Sequence, residues 1–168
     1  MIKVLFTGSG GAGSEALWRL LANDYELHFG DADISAIDPL IPKSRRHQLP
    51  WASDLDFVNK IAKICKDVGI DLLIPGVDEE LSVLAHAVEV LFPSKLMSPS
   101  ADYVDTMLDK LHMINALAGK NILVPVTHSL ASGFGDIEFP CIIKPRKGRG
   151  SRGVQTVDRF EVPRVLQA

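Results

Sequence analysis

The sequence predicts an α/β fold: a parallel β-sheet covered by helices on both faces, followed by a smaller α+β unit that stops short of a complete core. Three observations carry this. Short apolar runs alternate with amphipathic helical segments four times within residues 1–99, the pattern of a parallel sheet buried on both sides. The texture then changes at Ser98-Pro99-Ser100, which sets the expected domains at 1–99 and 100–168. Finally, residues 1–143 carry 11 Lys+Arg against 19 Asp+Glu, while residues 144–168 carry 7 against 2, so a basic end is joined to an acidic body.

IKVLFT (2–7) is an apolar run ending at Gly8 and predicts a buried strand. Ser14 is the expected cap of a helix through EALWRLLAN, with Ala16, Leu17, Leu20 and Leu21 on its buried face. ELHF (26–29) predicts a second strand, and residues 30–53, with the basic group Lys43, Arg45, Arg46 and His47, a long connection. Asp54 is the expected cap of a helix over 55–69, where Phe57, Val58, Ile61, Cys65 and Val68 recur at helical spacing and Gly69 ends it. DLLIP (71–75) is a strand, residues 79–92 a third helix, and KLMS (95–98) a fourth strand. Residues 101–118 are helical with a break near Asp109. Beyond them VPVTHSL, FPCIIKP and GVQTVD predict a β lid over 124–158, and EVPRVLQA the first turns of another helix.

Of the 168 residues, 46% are hydrophobic and 23% charged, a globular composition that excludes whole-chain disorder. No apolar run approaches the roughly 18 residues of a membrane span, and the N-terminus passes into glycines after a few apolar residues, unlike a secretory signal. Cys65 and Cys141 lie far apart in apolar contexts and read as reduced core thiols, pointing to the cytoplasm. His28, His47, His86, His112 and His128 show no metal-ligand spacing.

Two glycine-bearing motifs carry the chemistry. Gly8-Ser-Gly10-Gly11-Ala-Gly13 fits G-x-G-x-x-G between a strand and a helix, with Asp31 and Asp33 after the next strand. It is either a dinucleotide turn, whose helix N-terminus faces an anion, or a tight turn that binds nothing. The stronger motif, Lys144-Pro-Arg-Lys-Gly148-Arg149-Gly150-Ser151-Arg-Gly153-Val, lies between two expected strands and holds five cations and no acid. Its glycine amides and Ser151 suit the oxygens of a polyphosphate, and its lysines supply charge. A solvated basic hairpin and a nucleic-acid contact are the alternatives; the absence of aromatic residues within 144–153 disfavours base stacking. Asp78, Glu79 and Glu80 follow the DLLIP strand. Acids there either complement the helix dipole or meet a substrate at the carboxyl edge of the sheet, as Gly10 and Gly11 would.

In this order, KVLFTGSGGAG, GDADISAIDPLIP, GIDLLIPGVDEELSVLA, SPSADYVDTMLDKLHMINALAG and FPCIIKPRKGRGSRGVQTV resemble the N-terminal part of an ATP-grasp ligase. The nearest flavour is the large chain of carbamoyl-phosphate synthase and related carboxylate–amine ligases. The resemblance implies a Rossmann-like pre-ATP-grasp domain followed by the start of an ATP-grasp domain. It places Lys110, Lys144 and the loop residues Gly148, Arg149, Gly150, Ser151 and Gly153 at the ATP phosphates. It further implies activation of a small-molecule carboxylate as an acyl phosphate, then attack by an amine, with Mg²⁺ as the accompanying metal.

The family's magnesium ligands and adenine-contacting hinge lie in a part of the fold past Ala168. The expectation is therefore a fragment that carries part of an ATP site, no metal ligands, and no turnover alone. Exposed apolar surface at its end would favour association between copies. A nicotinamide-dependent oxidoreductase using Gly8–Gly13 and a non-catalytic nucleotide- or nucleic-acid-binding module stand as the rival readings.

Overall fold

The computed structural model describes residues 1–148 and 150–159. The chain divides into two compact units, Met1–Val104 and Asp105–Ala168.

The first unit is built on five parallel strands: β1 (Lys3–Phe6), β2 (Glu26–Asp31), β3 (Arg46–Gln48), β4 (Leu72–Ile74) and β5 (Lys95–Leu96). Their order is β3-β2-β1-β4-β5. β1 is central, with Val4 opposite Leu27 on one side and Leu72 on the other. Because strand residues alternate between faces, Val4 and Leu5 feed different cores. Val4 joins Leu27, Phe29, Ile37 and Ile41 beneath α1 (Gly13–Leu21). Leu5 joins Leu73, Phe57, Ile61, Cys65 and Leu84 beneath α2 (Phe57–Val68) and α3 (Asp78–Ala85). Both faces of the sheet are thus covered, as the apolar runs predict. Each of these fully buried side chains contributes about 1.5–3 kcal/mol relative to exposure.

Several expectations are corrected. Ser14 does not cap α1; Ala12 occupies that position without a side-chain bond, and the buried Ser14 hydroxyl donates to Ser9 O at 2.6 Å. Ala16 and Leu20 face solvent, and Trp18 takes the inward position, edge-on to Phe29. Asp56, not Asp54, precedes α2, although Gly69 ends it in the left-handed conformation as expected (φ 74°).

The third helix stops at Ala85. From Ala87 to Phe92 the backbone turns on i→i−3 bonds, with Leu91 buried while Val88, Val90 and Phe92 face outward. β3 was not expected, because Arg46-His47-Gln48 contains no apolar residue. Side chains anchor it instead: Arg46 Nε donates to Ile41 O at 2.7 Å and Gln48 Nε2 to Ala32 O at 2.5 Å.

The second unit begins within α4 (Ala101–Leu108) and continues with α5 (Lys110–Ala118). β6 (Cys141–Ile143) and β7 (Gln155–Val157) form an antiparallel pair, Ile142 opposite Thr156. The expected strand over 124–130 is irregular chain: Pro125 offers no N–H to a ladder, and Leu123 and Val126 are exposed. The expected helix over 161–168 lies outside the described residues. Cys65 is a free thiol in the core, and Cys141 a free, half-buried one. Among the described residues no helix is long and apolar enough to cross a membrane.

Candidate functional site

The glycine-rich loop is the turn of the β6–β7 hairpin. Lys144 follows the last residue of β6 and is exposed, as are Lys147 and Arg152. Gly148 (φ 115°), Gly150 (φ 64°), Ser151 (φ 57°) and Gly153 (φ 70°) all have left-handed backbone, and a β-carbon on Gly153 would lie 2.9 Å from Pro145 Cγ. Arg149 lies outside the described residues.

Lys110 meets this loop. Its backbone N–H donates to Arg146 O at 2.9 Å, and its ammonium donates to Gly148 O at 2.9 Å and Arg146 O at 3.4 Å. An ammonium has three protons, so one remains for a ligand oxygen.

Two residues to which the sequence assigns no role of their own hold this arrangement. Asp109 is buried at the N-cap of α5, its Oδ1 accepting from Leu111 N and His112 N at 3.1 and 3.2 Å. Arg146 grips the same carboxylate with two nitrogens, Nε to Oδ1 at 3.0 Å and Nη2 to Oδ2 at 2.6 Å. The Arg146 guanidinium, with the helix N–H groups, holds the Asp109 carboxyl down to about 2. The available sequence signal was an acid directly before Lys110 at a helix start; nothing local pointed to a partner 37 residues away.

In the first unit, the Gly8–Gly13 turn and the start of α3 lie together at the carboxyl edge of the sheet. A β-carbon on Gly8 would lie 2.8 Å from Val77 Cγ1 and 3.3 Å from Glu80 Oε2. Asp78 and Glu79 are exposed, whereas Glu80 is buried and accepts from Thr7 Oγ1 at 2.6 Å. Gly10 N donates to Asp31 Oδ2 at 2.6 Å, and a β-carbon on Gly11 would meet nothing within 4 Å. Asp33 caps a short 3₁₀ turn through Ser35. Both acids expected at a dinucleotide ribose are therefore engaged with their own backbone.

A separate polar cluster lies along β2. Arg45 Nη1 pairs directly with Glu26 Oε1 and lies 2.8 Å from His28 Nε2. Arg45 can only donate, so His28 Nε2 accepts and its Nδ1–H donates to His47 Nε2 at 2.9 Å. Arg45 above all holds Glu26 down to about 2, and burial lowers both histidines below their ordinary range. Among the described residues no group of three or more His, Cys, Asp or Glu could hold a metal ion.

No protein-family model and no curated protein matches the chain. Solved structures do. An L-amino acid ligase from Bacillus licheniformis superposes with a TM-score of 0.70 at 19% identity, over 99% of this chain and 42% of that one. N5-carboxyaminoimidazole ribonucleotide synthetase from Thermotoga maritima gives 0.63 at 17%, over 98% and 43%. The biotin carboxylase domain of Hydrogenobacter thermophilus 2-oxoglutarate carboxylase, in complex with MgADP and bicarbonate, gives 0.63 at 15%, over 97% and 39%. These are ATP-grasp carboxylate–amine ligases, and the chain has the fold of the part it matches. It spans less than half of their length.

Proposed function

We propose that this chain binds the phosphates of ATP as part of an ATP-dependent carboxylate–amine ligase. The observation that carries the reading is the Lys110 ammonium seated on Gly148 O of a cation-rich glycine loop, within a fold shared with such ligases. The loop amides, Ser151, Lys110 and Lys144 would take phosphate oxygens, with the lysines as fixed positive charge where negative charge gathers. In the ligase reaction, ATP would phosphorylate a small-molecule carboxylate, and an amine would displace phosphate from the acyl phosphate. A glycine-rich hairpin over that intermediate would exclude water from it.

Magnesium would accompany the nucleotide, but the described residues provide no cluster of three or more His, Cys, Asp or Glu to hold it. The chain spans about two fifths of its structural neighbours, and we assign it nucleotide binding. Asp78 and Glu79, exposed at the sheet edge beside the Gly10–Gly11 turn, would face substrate. Which carboxylate is taken is a question for that edge.

Calorimetric titration with MgATP tests the reading. Loss of a charge-assisted bond of about 1.5–3 kcal/mol predicts that Lys144→Ala weakens binding by roughly tenfold or more. Equal affinity in the two proteins would refute the assignment of the loop.

A further inference from the structure

Arg146 belongs to the cation-rich loop, yet its guanidinium is paired with a carboxylate of the chain itself. Both of its bonding nitrogens are on Asp109, at 2.6 and 3.0 Å, and that carboxylate is 8% exposed. Its own carbonyl accepts from the Lys110 backbone N–H and lies 3.4 Å from the Lys110 ammonium. Two residues on, Gly148 O accepts from the same ammonium. The segment 146–148 is thus tied to residues 109–110 through side chain and main chain at once.

We propose that Asp109 and Arg146 are positioning residues for phosphate binding: as a pair they clamp the stem of the glycine-rich loop to the first turn of α5, and so set the Lys110 ammonium within the loop. The inference rests on the ATP-phosphate reading above. Arg146 touches no phosphate in this scheme. It acts through Lys110, whose two carbonyl acceptors are where they are because the guanidinium is held. A planar fork matched to a carboxylate fixes direction as well as distance, which a lysine cannot reproduce.

The pair is tested with Asp109→Asn and Arg146→Gln, singly and together. Asparagine caps a helix about as well as aspartate, so Asp109→Asn removes the ion pair and keeps the cap. Each single variant is expected to weaken MgATP binding by about tenfold, equivalent to about 1.4 kcal/mol. The double variant should be no weaker than the worse single one, since both remove the same tie. Arg146→Lys should recover only part of the loss.

A phosphate-ligand role for Arg146 gives the opposite sign at one position. Freeing the guanidinium by Asp109→Asn would then leave MgATP affinity unchanged or raise it, and that result overturns the clamp. The second readout needs no nucleotide. Trypsin cleavage after Lys147 and Arg152, mapped by mass spectrometry on the ligand-free chain, should be severalfold faster in Asp109→Asn, which retains every cleavage site. Equal rates overturn the clamp even if Arg146→Gln fails to fold. If the unaltered chain binds no MgATP, the phosphate reading falls, while the trypsin comparison still decides whether the pair holds the loop.

Discussion

Gly76, between β4 and α3, is where a single methyl group should do the most damage at the sheet edge. A β-carbon there would sit 2.2 Å from Thr7 O and 3.5 Å from Gly8 O. These are backbone atoms, so no rotamer change relieves the clash. Restoring normal contact requires β1 and the β4–α3 connection to part by about 1 Å, an overpacking that costs about 1–3 kcal/mol. The same separation stretches the Thr7 N–Ile74 O bond of 3.1 Å and the buried Thr7–Glu80 bond of 2.6 Å, each worth about 0.5–1.5 kcal/mol.

Lower unfolded-state entropy returns about 0.4–1 kcal/mol, so Gly76→Ala should destabilise the first unit by about 2–4 kcal/mol. Gly11→Ala is the control. Nothing lies within 4 Å of that position and its φ is not positive, so its effect should stay within about 0.5 kcal/mol. Both tryptophans, Trp18 and Trp51, lie in the first unit, so urea unfolding followed by tryptophan fluorescence reads the relevant part of the chain. Coincident midpoints for the two variants would refute the close-approach reasoning.

Phe57, fully buried between α2 and the sheet, should cost about 3–5 kcal/mol as Phe57→Ala; a loss under 1 kcal/mol in urea titration would show that this core is not packed as described. The neutral pair His28–His47 sets a pH dependence. Burial depresses both rings, so the unfolded chain takes up protons near pH 6.5 that the native chain does not. Stability is therefore full above that pH and falls as pH drops below it, by up to about 1.4 kcal/mol per pH unit for each proton. His47→Gln keeps an acceptor for His28 and should flatten the change in urea midpoint between pH 7.5 and 5.5; an unchanged slope counts against the neutral pair. Asp109→Asn and Lys144→Ala, described above, test the loop.

The parallel sheet was legible because its central strands are apolar on both faces, and a residue run such as Lys3–Phe6 has no other use for Val4 and Leu5. β3 was illegible for the converse reason: an edge strand secured by Arg46 and Gln48 looks like polar loop. The third helix was overread because Val88, Val90 and Phe92 fit an apolar pattern that the fold leaves exposed. At the candidate site, Lys144 and the loop glycines announced themselves by type and spacing, and Lys110 only through the family resemblance. Asp109 did not, since its meaning depends on a guanidinium brought to it by the hairpin. Composition counted Arg146 among five loop cations; the structure neutralises it.

The two ends of the sheet bear on how copies of this chain could meet. An open strand edge is a template for another chain, and this sheet offers little of it. β5 is two residues long, and β3 presents Arg46, His47 and Gln48, two of them already bonded to neighbouring carbonyls. A strand arriving from a second molecule would find at one border too few amides to align with, and at the other a row of three residues bearing Arg46, His47 and Gln48. The five-stranded width is thereby self-limiting: a second copy gains little by lengthening the sheet.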